Sequence, residues 1–181
     1  VNGSYTGSTH KVRYTGKNGT KDKVTIKASQ TQSTPNDAAH IAEDGDFGVA
    51  DATGSLGAYN FTLNHKAAYI TFMPYTAQDA ISAAKLSKIR IYTDNTSDQL
   101  AGTFDLADNG SLSNGTSTSN SVEIDLTGYV WHGGFNIPNA SNYNTNAAIM
   151  VIKPGTYNNV HIEYTVADPI TYVEGTITKT Y

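Results

Sequence analysis

The sequence contains no cysteine, which excludes disulfide staples, thiol nucleophiles and thiolate-bound metals together. Charge is sparse, with only 15 % of residues Asp, Glu, Lys or Arg. Leucine, glutamate and arginine are scarce, so the usual material of long helices is missing. No run approaches the roughly 20 apolar residues of a membrane-spanning helix. There is no GxSxG elbow, no phosphate-binding glycine loop and no dinucleotide fingerprint. None of His10, His40, His65, His132 and His161 stands at zinc-ligand spacing from another. These absences give the expectation of a chain that is not an enzyme, carries no cofactor or metal, and binds no nucleic acid.

What is abundant is Thr, Ser, Asn, Gly and Tyr, a composition suited to short strands and turns. The 181 residues are enough for one large domain burying on the order of 70 % of its unfolded surface. Alternation with period two recurs: Val24, Ile26 and Ala28; Ile89 and Ile91; Val122, Ile124 and Leu126; Val160, Ile162, Tyr164 and Val166. Each run predicts a strand with one buried and one wet face. Turn dipeptides separate the runs: Asn18-Gly19, Asp44-Gly45, Asn109-Gly110, Asn114-Gly115 and Pro154-Gly155. The pattern predicts an all-β, antiparallel β-sandwich in a single domain, 1–181, with at most one short helical turn. That turn is expected in AQDAISAAKL (77–86), capped by Thr76. AAIMVI (147–152) is apolar on both parities and is expected at the centre of a sheet. Residues 107–121 read as a polar hairpin tip or loop.

One stretch, FTLNHKAAYITFMPY (61–75), changes phase. Phe61, Leu63 and His65 share a parity, whereas Ala68, Ile70 and Phe72 occupy the opposite one. A bulge or tight break at Asn64-His65-Lys66 explains this, giving a corner with Phe61 and Leu63 on one part of the core and Ala68, Ile70 and Phe72 on another.

Candidate chemistry is thin. Glu43-Asp44-Gly45-Asp46 resembles a fragment of a calcium loop but lacks the closing bidentate glutamate, so a solvated turn is expected. His65 reads as the polar residue of the bend, and His161 lies beside Glu163 on a wet strand face. The seven N-x-S/T sequons are what a chain this rich in Asn, Ser and Thr produces by chance. Tyr129, Trp131 and His132, beside Gly133 and Gly134, form a possible glycan platform by ring stacking; the simpler reading makes Trp131 a plug at the sandwich end. Residues 1–30 carry six Lys/Arg against Asp22 alone, or +5, while the rest carries six basic and fifteen acidic groups, or −9. Such a split suits either a basic face for an acidic partner or strands with lysine on their solvent side.

The order of FTLNHKAAYITFMPY (61–75), LAGTF (100–104), FNIP (135–138) and IKPG (152–155), across roughly 57–166, resembles the N-terminal domain of the fimbrillin family, subunits of Bacteroidales pili and related surface lipoproteins. The resemblance implies a transthyretin-like, Greek-key β-sandwich, exported to the cell surface, the outer membrane or a pilus. Its only tie to the membrane would be a lipid anchor on the precursor. The chain opens on Val1, lacks a lipidation cysteine and ends in TYVEGTITKTY, so it is expected to be a trimmed chain whose C-terminal second domain is absent. The implied partners are other pilus subunits, joined by β-strand complementation, and host or bacterial surface glycans or proteins. A protease-processing region is expected at Lys11, Arg13 or Lys17, with Tyr5–Tyr14 the strand that fills the groove until cleavage. A non-polymerising carbohydrate-binding β-sandwich is the alternative.

Overall fold

A computed structural model describes residues 5–55, 57–128, 133–171 and 173–181. The largest sheet has the order β15 (Glu174–Thr180), β14 (Val160–Ala167), β8 (Lys85–Thr93), β11 (Ser121–Asp125), β3 (Ser29–Thr31), and the short β12 (Phe135–Asn136) also pairs with β8. Smaller sheets are β10 (Leu112–Ser119), β9 (Ala101–Leu106) and β2 (Lys23–Ile26); β1 (Thr9–Tyr14), β4 (Gly48–Ser55) and β5 (Ala58–Asn60), with β6 (Asn64–His65) also on β4; and the pair β13 (Ala148–Ile152) and β7 (Ala68–Phe72). All ladders are antiparallel except that of β11 with β3. Together they form an all-β sandwich around one core, with Val24, Ile26, Ile89, Ile91, Phe104, Val122, Ile124 and Met150 at its centre.

Alternation explains most of these strands. In β11, Val122 and Ile124 are buried while Glu123 and Asp125 reach the surface. β8 departs from strict alternation because Leu86 and Ile89 have opposite parity and both are fully buried. The cause is a bulge: Thr165 pairs with Lys88 and Val166 with Leu86, so Ser87 is passed over. Ser87 instead donates its hydroxyl to the Thr165 carbonyl, 3.2 Å.

Four local expectations need correction. Three helical turns form rather than one: α1 (Ile41–Asp44), α2 (Asp79–Ser82) and α3 (Tyr143–Asn146). A single turn demands only a local polar anchor, as when the Asn142 side chain accepts from the Asn144 N–H, 3.0 Å. The cap residue of α2 is Gln78, and Thr76 acts one step earlier by accepting the Gln78 N–H, 3.1 Å. Residues 112–119 are not a loop but the edge strand β10, whose polar residues pair with β9 and whose ladder is interrupted near Asn114 and Ser117, both at positive φ. Phe61 is 54 % exposed and faces solvent.

β13 is also not a central strand. Its residues are buried on both faces, yet among the described residues its only strand partner is β7. The other edge is closed by two buried side chains. Gln32 accepts the Ile149 N–H (2.7 Å) and donates to the Ala147 carbonyl (2.9 Å). Gln30 accepts the Val151 N–H (2.9 Å) and donates to the Val151 carbonyl (2.6 Å). A primary amide offers the same donor and acceptor as a peptide group, so two glutamines one strand repeat apart stand in for a neighbouring strand.

The phase flip at 64–66 is a change of sheet. Asn64 and His65 pair with Val49 and Gly48 of β4, whereas Ala68–Phe72 pair with β13. The chain therefore turns a corner at Lys66–Ala67, and Ala68, Ile70 and Phe72 join the core as their parity requires.

Candidate functional site: an open strand edge beside a cleft

β7 has one strand neighbour and hence one free edge. Because Ile149 and Val151 turn their N–H groups toward the glutamines, their partners Thr71 and Tyr69 are the non-hydrogen-bonded pairs of the β7–β13 ladder. The N–H and C=O groups of Tyr69 and Thr71 therefore point away from β13. Among the described residues no backbone group bonds to them. This is an edge of the kind that accepts another strand.

The edge opens at its C-terminal end onto a cleft of about 760 Å³. One wall is Thr71–Thr76, which leaves β7 through Met73 and Pro74; the other is the inner face of β14 and β15, with Tyr164, Val166, Ile177, Lys179 and Tyr181. Leu86, Ile137 and Ile81 complete the lining. Phe72 meets Tyr164 edge to face with ring centroids 6.4 Å apart. Burial pushes the Tyr164 phenol above its ordinary range, with the nearby Tyr181 phenol adding to this. Among the described residues, Lys179 is the one charged residue of the lining. The cleft is thus an amphipathic slot without paired carboxylates or a base–nucleophile pair.

The charged N-terminal residues lie elsewhere. β1 runs along β4 for its whole length, pinned by His10, whose ring packs edge-on against Tyr59 at 4.8 Å and Tyr5 at 5.2 Å. Lys11 pairs with Asp51 at 2.6 Å, Arg13 with Asp22 at 2.7 Å and Asp108 at 2.6 Å, and Lys17 with Glu43 at 2.9 Å. Hydrogen bonds to those carboxylates hold all three cations above their ordinary ranges. None of the three lines the cleft. Tyr129, Trp131 and His132 lie outside the described residues.

The Glu43–Asp46 segment is no solvated turn. Asp44 and Asp46 are each 3 % exposed. Asp44 is held by His40 Nδ1 at 2.7 Å and Lys27 Nζ at 3.4 Å. Asp46 is held by His65 Nδ1 at 2.8 Å and by the Tyr69 hydroxyl, which burial first, and the carboxylate second, drive well above the usual phenol range. His65 is accordingly a structural partner at the corner, as its place in the bend suggests. His161 bridges two elements, through Asp94 Oδ1 at 2.9 Å and the Thr180 hydroxyl at 2.9 Å. Among the described residues no group of three or more His, Asp or Glu could hold a metal ion, and no helix is long and apolar enough to cross a membrane.

The sequence offers one signal for the cleft that alternation does not use. The apolar parity of β7 ends at Met73-Pro74, and proline cannot continue a hydrogen-bonded ladder; that is where the wall departs. No family model matches the chain, and comparison with curated proteins and with solved structures returns no match.

Proposed function

We propose that this chain is a structural subunit of a surface assembly, a pilus subunit or related surface protein, that joins its neighbours by accepting a β-strand along β7. The observation that carries the reading is an unpaired strand edge opening onto an amphipathic cleft. A backbone ladder alone contributes little, since each hydrogen bond nets only about 0.5–1.5 kcal/mol against water. Binding strength must come from alternate side chains entering the slot between Thr71–Thr76 and Tyr164, Val166 and Ile177, as in other strand additions. Resemblance of the segment order to fimbrillin N-terminal domains supports the same reading, and with it export to the cell surface.

Proline supplies the test. The Thr71 N–H points away from β13, so Thr71→Pro removes a donor from the open edge while leaving the β13 ladder its bonds. The variant is expected to fold with a melting temperature within a few degrees of the parent and to lose at least tenfold in affinity for any strand that the parent takes up. Uptake that is indifferent to Thr71→Pro would remove β7 as the acceptor.

A further inference from the structure

β15 is a seven-residue edge strand, and it differs from the other described edges. Natural sheet edges are blunted by charge, bulges, shortness or cover. β10 is interrupted at Asn114 and Ser117. β13 is covered by Gln30 and Gln32. β1 carries Lys11 and Arg13 in ion pairs. β2, β3, β5, β6 and β12 are four residues or fewer. β7 opens onto the cleft already described. β15 runs seven residues in unbroken register with β14, from Glu174 opposite Ala167 to Thr180 opposite His161, with every residue exposed.

We infer that β15 is a contact surface through which two copies of this chain pair edge to edge about a two-fold axis, using the outer backbone edge of β15 rather than the edge of β7. Val160 and Tyr181 exchange both backbone bonds, at 3.0 and 2.8 Å. Alternation from that pair directs the N–H and C=O groups of Ile177 and Lys179 toward β14, and those of Thr176, Thr178 and Thr180 toward open solvent. The outward groups are therefore those of Glu174, Thr176, Thr178 and Thr180, an edge that is uncharged and β-branched from Thr176 onward. It matches itself when run antiparallel: centred on Ile177, Thr176 lies opposite Thr178 of the second copy and Glu174 opposite Thr180. In that register Lys179 faces Gly175 of the second copy, so no like charges meet, and the half-exposed Ile177 side chains of the two copies meet at the axis. Threonine–threonine and apolar cross-strand pairs are among the favourable ones. Identical edges give a closed, isologous contact rather than a growing chain. A single strand pair lies at the small end of interface sizes, which makes the dimer weak, with Kd on the order of micromolar to millimolar.

Sedimentation equilibrium of the chain from about 10 µM to about 1 mM tests it. The apparent mass is expected to rise from 19.3 kDa toward twice that value. Thr178→Pro, which removes an outward donor and no β14 bond, should stay at monomer mass with an unaltered melting temperature. Thr176→Lys combined with Thr178→Lys, which sets like charges across the axis without proline, should do the same and recover association in high salt. A constant monomer mass in the parent, or a dimer that persists in both variants, overturns the inference. Thr71→Pro should leave the dimer untouched, so failure here is separable from failure of strand uptake at β7.

Discussion

Gln30 and Gln32 each present a flat amide to two backbone groups along β13 and the Ala147 that precedes it, and both side chains are buried. Replacing Gln30 by Met keeps most of the volume but leaves the N–H and C=O of Val151 without partners. An orphaned buried polar group costs about 1–3 kcal/mol, so Gln30→Met is expected to lose about 2–4 kcal/mol in urea unfolding. Gly45 is the second sensitive position. Its φ of +123° lies where side chains strain the backbone, and an added Cβ would stand 2.6 Å from Ile26 Cα. Gly45→Ala is therefore expected to cost about 2 kcal/mol or more, readable as a fall in Tm. Gly45 is marked in the sequence by the Asp44-Gly45 turn dipeptide, but Gln30 is not. Gln30 reads as one more polar residue in a Ser-Gln-Thr-Gln run, and only the fold shows that alternate members face a buried strand edge. Alternation reports which face is inside, not what the inside needs.

The phenols give an alkaline signature. Burial raises Tyr69, Tyr157 and Tyr164 above the ordinary phenol value of about 10. A folded-state pKa above the unfolded one means that the folded chain holds these protons more tightly. The associated stability is present below about pH 10 and is lost as pH rises from there toward the folded values. Absorbance at 295 nm should show Tyr69, Tyr157 and Tyr164 ionising above the usual phenol range and together with unfolding. At the acid end the sign reverses. Lys17 holds Glu43 low by hydrogen bonding, Lys23 and Asn114 do the same for Asp105, and backbone N–H groups hold Asp168 low. Their contribution is present above the ordinary carboxylate range and fades as pH falls below about 4.

At the scale of elements, the strand ladders decide which lysines and arginines a protease can reach. Lys11 and Arg13 lie within β1, paired residue for residue with Asp51 and Val49 of β4, whereas Lys17 and Lys21 lie outside the strands. A protease needs an extended, unpaired substrate, so brief trypsin treatment of the folded chain should cut first after Lys17 or Lys21 and only later after Lys11 or Arg13. Resistance of the whole 11–21 segment while distal sites are cut would remove this region as a processing site. Elements with strong apolar alternation, β2, β8, β11 and β14, are legible from residue types alone. β10 is not, because its polar Ser, Thr and Asn residues mimic a loop and its pairing is supplied by β9. β13 is apolar enough to suggest a central strand because glutamine amides do the covering. The corner at 64–66 is legible because a parity change must be accommodated somewhere.

For the whole molecule, the charge split resolves internally. Lys11, Arg13, Lys17, Lys23 and Lys27 find Asp51, Asp22, Asp108, Glu43, Asp105 and Asp44 across sheets and loops. Most of the basic N-terminal stretch is thus matched by acids of this same chain, and the asymmetry does not itself call for an acidic partner. Exposed pairs of this type contribute little each and weaken with salt, so they align sheets more than they hold them together. Among the described residues, backbone is left unpaired at the free edge of β7, which opens onto the cleft, and along the rim of β15. The most direct measurement is selection from a displayed library of random heptapeptides on the folded chain, with Thr71→Pro as the counter-target. The account predicts enrichment of extended sequences with apolar residues at alternate positions, bound by the parent and at least tenfold more weakly by Thr71→Pro. Absence of any such enrichment, or peptides that bind both chains equally, would contradict it.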